Sequence, residues 1–252
     1  MDYAGKVVVI TGGANGIGKA LVDYFVEAGS KVAFVDIDPG AIGRYCPGNV
    51  LYTVGDIAEE QVLVDFSEKI KLRFGKTDYL INNACKSKGG IRSGCSFDDF
   101  NYVFKVGVSA PYLLSSLLDF NEGASILNIA STRAAMSQPD TEAYSAAKGG
   151  ILSLTHALAI SLAGKVRVNA ISPGWIETDA HAVHSQADKA QHAVGRVGAV
   201  EDIVKAAAFL GSPSAGFITG ETLTIDGGMS RLMIYHGDHG WHYSNKEDLA
   251  CR

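Results

Sequence analysis

The chain has 252 residues, of which 47% are hydrophobic and 19% are charged, and its formal net charge is −5. This length suits one large α/β domain, and the apolar content is sufficient for a sizeable core. The negative charge argues against a nucleic-acid-binding protein, which usually carries a basic patch, and no apolar run approaches the roughly 18 residues of a membrane span.

Short apolar runs alternate along the chain with segments of helical periodicity. The predicted strands are Lys6–Thr11, Lys31–Asp36, Asn49–Val54, Asp78–Asn82, Ala124–Ala130, Lys165–Ile171 and Glu221–Asp226. The predicted helices are Gly16–Ala28, Phe97–Asp119, Glu142–Ala163 and Glu201–Leu210. Several strand runs are apolar without alternation, which is typical of strands buried on both faces. The pattern predicts an α/β protein with a doubly wound parallel sheet (a Rossmann fold) in one domain over residues 1–230.

The first predicted strand runs into a glycine-rich turn, Thr11-Gly12-Gly13-Ala14-Asn15-Gly16-Ile17-Gly18, which opens the first helix. Glycines allow positive φ angles and a close approach of a ligand, and a helix N-terminus favours a negatively charged phosphate. A strand before the turn, an amphipathic helix after it and an acid at the end of the next strand together predict a dinucleotide site. The residues expected to contact the cofactor here are Gly12, Asn15, Gly16, Ile17 and Gly18.

The acid at the end of the second strand is Asp36, whose carboxylate can accept hydrogen bonds from the adenosine ribose. The same carboxylate repels the 2′-phosphate of NADP, and neither Ile37 nor the glycine turn provides a cation to balance that phosphate. NAD is therefore the expected cofactor. Asp56 and Ile57, which follow the third strand, are expected near the adenine.

Tyr144 and Lys148 are four residues apart in the predicted helix Glu142–Ala163 and therefore share one helix face. A nearby ammonium stabilises phenolate, so Lys148 and the positive field at the helix start are expected to lower the pKa of Tyr144 from about 10. Such a tyrosine can take a proton from an alcohol or give one to a carbonyl. Alone, the pair is equally typical of a solvated helix face, and the nucleotide turn is what favours the catalytic interpretation.

Six motifs occur in one order along the chain. They are Thr11-Gly12…Gly16-Ile17-Gly18, Asn82-Asn83-Ala84, Ser131, Tyr144…Lys148, Ser172-Pro173-Gly174 and Asp226-Gly227-Gly228. With these motifs the chain resembles the single-domain type of the short-chain dehydrogenase/reductase family from about Lys6 to Gly228. The resemblance implies a sheet of seven parallel strands, an active site at the carboxyl edge of that sheet, and a homo-oligomer, either a tetramer or a dimer.

The resemblance also implies roles for individual residues. Ser131 would hydrogen-bond the substrate oxygen, Tyr144 would be the acid/base, and Lys148 would bind the nicotinamide ribose and tune Tyr144. The other residues expected to line the cofactor cleft are Asn83, Ala84, Pro173, Gly174, Ile176 and Thr178. The implied reaction is hydride transfer between NAD(H) and a small secondary alcohol or ketone, in a direction that these residues do not distinguish.

Two positions depart from the family pattern. Cys85 stands where the family usually has glycine, and we interpret it as a tolerated small residue rather than a reactive thiol. Gly107 replaces the asparagine that usually completes the catalytic group. Pro111 has no N–H, so the helix is expected to kink and the carbonyl of Gly107 to stay free for a water that relays protons from the lysine. The alternative is an NAD-binding protein with little or no catalysis.

The remaining segments carry none of these motifs. Residues 178–196 are expected to form a lid over the substrate, and residues 231–252 a C-terminal tail that packs on the domain or on a neighbouring subunit. The tail histidines lie in a glycine-rich stretch without helical spacing, so no metal site is predicted. The first residues lack a secretory signal and the four cysteines lack zinc-ligand spacing, so a cytoplasmic protein with reduced thiols is expected.

Overall fold

The computed structural model describes residues 3–238 of the chain. The strands in this range are β1 (Val7–Thr11), β2 (Lys31–Asp36), β3 (Val50–Val54), β4 (Thr77–Asn82), β5 (Phe120–Ile129), β6 (Val166–Pro173), β7 (Ile176–Glu177), β8 (Gly198–Ala199) and β9 (Thr222–Ile225). The α-helices are α1 (Gly16–Glu27), α2 (Glu60–Phe74), α3 (Phe97–Phe104), α4 (Ala110–Leu117), α5 (Glu142–Ser161), α6 (Gln186–Ala190) and α7 (Val200–Gly211). Seven strands form one parallel sheet in the order β3-β2-β1-β4-β5-β6-β9, which confirms the predicted fold class.

Strand β1 shows why helices cover both faces of this sheet. Its five residues are all buried, and alternate side chains point to opposite faces. Val8 packs in one apolar cluster with Phe25 of α1, whereas Val9 packs in a second cluster with Phe66 of α2. A strand without a polar face can bury its side chains only between two helical layers, and each fully buried Val or Phe contributes about 1.5–3 kcal/mol.

The order of the strands reverses beside β1. β1 pairs with β2 on one side and with β4 on the other, in parallel register on both. Helices on opposite faces diverge at such a reversal and leave a crevice outside the carboxyl ends of the strands, where ligands of doubly wound proteins bind. This places the end of β1, with its glycine turn, and the end of β4 at the mouth of the crevice.

The predicted strands are all present, but their ends differ. β5 begins at Phe120 instead of Ala124, because Phe120 pairs with Thr77 across an irregularity in the register of β4 and β5. α2 was absent from the predicted helices, although its buried residues Leu63, Phe66 and Ile70 repeat with helical spacing.

The helix predicted over Phe97–Asp119 is present as a helical run that ends at Leu117, with the irregularity expected near Pro111. α3 ends at Phe104, a π-helical turn spans Lys105–Ser109, and α4 follows. The N–H of Ala110 donates to the carbonyl of Lys105, five residues back. Pro111 lies in the first turn of α4 and has no N–H to donate. The helical turn just before it contains one residue more than an α-helical turn.

The segment expected to be a lid is tied down at both ends. β7 and β8 form a separate two-stranded parallel sheet that pairs Ile176 with Gly198 and Glu177 with Ala199. Between them lies α6, which begins with a capping box of Ser185 and Asp188. No helix among the described residues is both long and apolar enough to cross a bilayer.

Candidate active site and cofactor cleft

The glycine turn after β1 is built so closely that side chains are excluded from it. Gly12 has a φ of +70°, and a Cβ on it would lie 2.9 Å from the Cα of Ala84. A Cβ on Gly18 would lie 1.8 Å from the carbonyl oxygen of Gly12. Asn15 precedes α1 as its N-cap but makes no side-chain hydrogen bond to the helix. The first N–H groups of α1 are therefore not capped by a side chain, which is the arrangement that binds a phosphate.

Asn83 braces this turn from the end of β4. Its Nδ2 donates to the carbonyl oxygens of Thr11 and Gly12, each at 3.0 Å. The backbone N–H groups of Asn83 and Ala84 both donate to Oγ1 of Thr11 at 3.1 Å. The ends of β1 and β4 are thus locked together where the strand order reverses.

A cavity of about 440 Å³ opens beside the turn. The residues from our sequence analysis that line it are Gly12, Asn15, Ile17, Gly18, Asp36, Asp56, Ile57, Asn83, Ala84 and Thr178. Gly16 faces Thr178 across the cleft, because a Cβ on Gly16 would lie 3.3 Å from Cγ2 of Thr178. The size of the cavity, the excluded side chains and the uncapped helix fit a dinucleotide.

Two carboxylates line the cavity at and just beyond the end of β2, and only the first of them was predicted from the sequence. Asp36 accepts hydrogen bonds from the backbone N–H groups of Ala14, at 2.9 Å, and Asp38, at 3.0 Å. Asp38 also lines the cavity and accepts from Nδ2 of Asn15 at 2.7 Å. That hydrogen bond, followed by one from the N–H of Gly40, lowers the pKa of Asp38. The position of Asp38, two residues after Asp36, could have identified it from the sequence.

Asp56 is held by a residue that the sequence did not single out. Tyr102 of α3 donates its hydroxyl to Oδ2 of Asp56 at 2.8 Å, and the N–H of Ala58 donates to Oδ1 at 2.9 Å. Burial and the hydrogen bond to Asp56 raise the pKa of Tyr102 to about 12, so it stays a donor. This contact fixes one wall of the cavity.

A second cavity, of about 560 Å³, lies at the carboxyl edge of β5 and β6. It contains the predicted substrate-binding Ser131, the predicted acid/base Tyr144, and Gly174 and Ile176. Ser131 and Tyr144 therefore line the same cavity, and the influence of the Ser131 hydroxyl favours the phenolate form of Tyr144. Pro173 is buried at the end of β6, and Lys148 is buried beneath the site, so these two line neither cavity.

The predicted lowering of the Tyr144 pKa is wrong for this structure. The pKa of Tyr144 is raised above its usual 10, first by burial and then by the charge of nearby Cys85, while the Ser131 hydrogen bond and the charge of Arg133 oppose this. Lys148 does not offset the effect. Its Nζ lies 5.5 Å from the centroid of the tyrosine ring, and burial lowers its own pKa. The spacing of Tyr144 and Lys148 along the helix indicated that they are close, but it did not indicate that both side chains are buried, which shifts both pKa values.

Gly107 lies in the π-helical turn and lines neither cavity. A Cβ on it would lie 3.0 Å from the Cβ of Ala147, the neighbour of Lys148 on α5. Glycine therefore lets the turn approach the helix that carries Tyr144 and Lys148. The expected irregularity of the helix is present as the π-helical turn, and the proton relay through the carbonyl of Gly107 stays a prediction.

Several residues of the second cavity were not identified from the sequence. They are Thr132, Arg133, Met136, Ser137, Gln138, Trp175, Gln191 and Met229. Trp175 contacts two histidines of the lid segment, with ring centroids 5.5 Å from His184 and 6.1 Å from His192. The sequence offered one indication of such residues, which is a position just after a strand. Arg133, for example, lies two residues beyond Ser131.

The expected tail is described only in part, because residues 239–252 lie outside the described range. In residues 232–235 the large apolar side chains are exposed on the single chain, Tyr235 by 68%. Packing of the tail on the domain or on another subunit stays a prediction. Among residues 3–238 no group of three or more His, Cys, Asp or Glu side chains is arranged to hold a metal ion.

Comparison with known proteins identifies relatives along nearly the whole chain. The sequence model described as enoyl-(acyl carrier protein) reductase matches residues 12–230. An uncharacterized oxidoreductase of Thermotoga maritima is 39% identical over 251 residues, which cover 92% of this chain and 98% of that protein. The 3-oxoacyl-(acyl-carrier-protein) reductase of Escherichia coli is 31% identical over 242 residues, which cover 91% and 99%.

Solved structures similar to this chain also match it along nearly its whole length. An apo SCOR enzyme from Clostridium thermocellum is 44% identical, has a TM-score of 0.88, and is covered over 99% of its length and 96% of this chain. Two further structures contain cofactors. A blue fluorescent protein from a metagenomic library, in complex with NADPH, is 28% identical with a TM-score of 0.82, over 91% of this chain and 100% of that one. A 4-hydroxyisoleucine dehydrogenase with NADH is 29% identical with a TM-score of 0.79, over 90% and 100%.

Proposed function

Because the chain belongs to the short-chain dehydrogenase/reductase family of oxidoreductases, we propose that it interconverts a secondary alcohol and a ketone with NAD(H). The observation that carries this proposal is that Ser131 and Tyr144 both line one cavity at the carboxyl edge of the sheet. Two hydroxyls that converge on one point can hold and protonate a single substrate oxygen.

In this proposal the nicotinamide ring supplies or accepts the hydride, with its two electrons, at the substrate carbon. Tyr144 moves the proton: its phenol protonates the oxygen as a ketone is reduced, and its phenolate removes that proton as an alcohol is oxidised. Ser131 donates a hydrogen bond that orients the oxygen. Lys148 is proposed to bind the nicotinamide ribose with its ammonium.

The preference for NAD over NADP is proposed from the charges at the adenosine end. Asp36 and Asp38 both line the cavity there and would repel a 2′-phosphate. The nearby guanidinium of Arg44 donates to the carbonyl of Ala14 at 2.7 Å and does not line the cavity. Known structures with NADPH and with NADH are similarly distant from this chain, so the argument depends on its own carboxylates.

The other proposed cofactor contacts follow the cleft from end to end. Asp56 and Ile57 would contact the adenine, the glycine turn the pyrophosphate, and Ile176 and Thr178 the carboxamide end. We propose a cytoplasmic homo-oligomer acting on a small molecule, with no nucleic-acid or membrane partner.

Dissociation constants for NADH and NADPH, measured by cofactor fluorescence, test the cofactor preference. We expect NADH to bind at least about tenfold more tightly, and the double variant Asp36→Ser with Ile37→Arg to reverse this order. The control is Lys31→Ser, a charge variant at the first residue of β2, the end of the strand opposite to Asp36. Equal affinities in the parent protein would contradict the proposal.

Turnover with each cofactor on a panel of secondary alcohols, sugars, polyols and ketones tests the reaction. Absorbance of the reduced cofactor should change with at least one substrate class. Cofactor binding without any turnover on the panel would favour the alternative, a nucleotide-binding protein of little catalysis, for which Gly107 is the motivating departure.

A further inference from the structure

The second cavity has an uneven distribution of charge. Its walls are apolar at Met136, Trp175 and Met229 and carry neutral amides at Gln138 and Gln191. No aspartate or glutamate is among its lining residues, which all belong to the described part of the chain. Arg133 is the only residue with a formal charge among these lining residues.

Arg133 is not neutralised by the protein. It takes part in none of the ion pairs formed within residues 3–238, in contrast to Arg196, whose guanidinium donates twice to the carboxylate of Asp202 at 2.7 Å. The guanidinium of Arg133 instead donates to Oε1 of Gln138 and lies over the ring of Tyr144, 5.7 Å from its centroid. A guanidinium has five N–H donors in a planar fork, so most of its capacity is free for a ligand.

The position of Arg133 relates this charge to the reacting atoms. It is two residues beyond Ser131, and its guanidinium lies over the ring of Tyr144 in the cavity that all three residues line. A ligand whose oxygen lies between Ser131 and Tyr144 would place the next part of its chain beside the guanidinium. We propose that the substrate carries a carboxylate close to the reacting carbon, and that Arg133 binds this carboxylate and selects hydroxy or oxo acids over neutral alcohols and ketones. This inference rests on the function proposed above.

The surroundings favour a carboxylate over a phosphate. A carboxylate carries one negative charge and matches the guanidinium fork with two parallel hydrogen bonds. A phosphate monoester carries close to two charges at neutral pH and calls for a second cation, which the lining residues do not include. The apolar walls suit the short carbon chain of a small acid.

Binding of ligands that cannot react tests the proposal separately from turnover. Calorimetry would measure short carboxylates, from acetate to hexanoate, and the matching neutral amides, on protein saturated with the reduced cofactor at pH 8. At least one carboxylate should bind about 10- to 100-fold more tightly than its amide. Arg133→Met should remove this difference, and Arg133→Lys, which keeps the charge but loses the fork, should retain part of it.

Arg73→Met is the matched control. Arg73 lies in the last turn of α2 and donates to the carbonyl of Pro47, and it does not line the second cavity, so its loss should leave ligand binding unchanged. The same variants would then be assayed with 3-hydroxybutyrate, lactate and their amides. The acids should show a rise in KM of about 10-fold or more in Arg133→Met, while the amides show none.

If no carboxylate binds better than its amide in the parent protein, or if Arg133→Met keeps the preference, the proposal is overturned. Turnover of neutral alcohols with no preference for acids would overturn it while the proposed function stands. A carboxylate preference in calorimetry that Arg133→Met removes, without turnover of any alcohol or ketone, would support the anion site and refute the proposed function.

Discussion

The ammonium of Lys148 donates a hydrogen bond to the backbone carbonyl of Ile129 at 2.6 Å, which connects α5 to the last residue of β5. The ammonium is buried, and burial lowers its pKa. A buried charged donor that has one protein acceptor retains N–H groups for a further partner, and the ribose hydroxyls of a cofactor are suitable acceptors. The bond therefore orients Lys148 below the site while leaving it able to bind.

Lys148→Met removes this donor but keeps the length and apolar stem of the side chain. We expect turnover to fall about 100-fold and cofactor affinity several-fold, because the ammonium proposed to hold the nicotinamide ribose in place is lost. The unpaired carbonyl of Ile129 costs about 1–3 kcal/mol, partly offset because no charge is buried any longer. Steady-state kinetics and chemical denaturation measure the two effects. Unchanged turnover in a folded variant would remove Lys148 from the mechanism.

The raised pKa of Tyr144 gives a direction for the pH dependence. Oxidation requires the phenolate, so its rate should climb with pH through the alkaline range, while reduction uses the phenol and should already proceed at neutral pH. Cys85 raises this pKa because its negative charge opposes a second negative charge nearby.

Cys85→Ser removes that charge, so the phenolate forms more easily and the midpoint of the oxidation profile should move to lower pH. Cys46→Ser, at another exposed cysteine, is the control and should leave the profile in place. The measurement is kcat against pH for each variant in the oxidation direction. A midpoint that stays fixed or moves upward in Cys85→Ser would refute this electrostatic assignment.

Pro111 tests whether the π-helical turn serves catalysis. Pro111→Ala adds an N–H that can bond the carbonyl of Gly107 in α-helical register or that of Val106 in π-helical register. We expect turnover to fall several-fold with little change in cofactor affinity, since a carbonyl available to a relaying water would be captured. If the rate and its pH profile are unchanged, the relay through Gly107 is wrong, and the glycine serves only the close approach to Ala147.

Apolar side chains exposed on α3, α4 and α5 motivate the predicted homo-oligomer. Phe97 is 81% exposed, Tyr112 58% and Ile160 77%, and Phe104 is partly exposed near Gly150 of α5. Large apolar side chains exposed on neighbouring helices are typical of a contact with another protein when they lie together. Phe104→Glu should shift the sedimentation coefficient towards a smaller species at micromolar concentration, whereas Leu72→Glu on α2 should not. A parent protein that sediments as a monomer would contradict the prediction.

The fold could be predicted from the sequence because each strand shows a local pattern of apolar residues. Val7 to Ile10 is apolar throughout, and such a run is stable only between two helical layers. The glycine turn and Asp36 were identified because each requirement, a tight backbone or a carboxylate after a strand, depends on a few adjacent residues. The missed helix α2 has the weaker signal of a mostly polar segment with three buried apolar positions.

The electrostatics of the site could not be obtained in the same way. The pKa of Tyr144 depends on its burial and on Cys85, Ser131 and Arg133, which three different loops and helices bring together. The hydrogen bonds of Tyr102 with Asp56 and of Asn15 with Asp38 likewise join residues that are distant in sequence. Local sequence patterns do not show such contacts. Helical spacing shows which residues share a face, but it does not show how much water remains there.

The most direct test of the account is the kinetics of Tyr144→Phe together with its affinity for NADH. The ring can pack as before, while the hydroxyl that moves the proton is absent, so we expect kcat to fall about 10³-fold with a dissociation constant for NADH within about twofold of the parent value. Ser145→Ala, on the same helix, is the control and should keep most of the activity. Substantial turnover in Tyr144→Phe with the same substrate and cofactor would contradict the account.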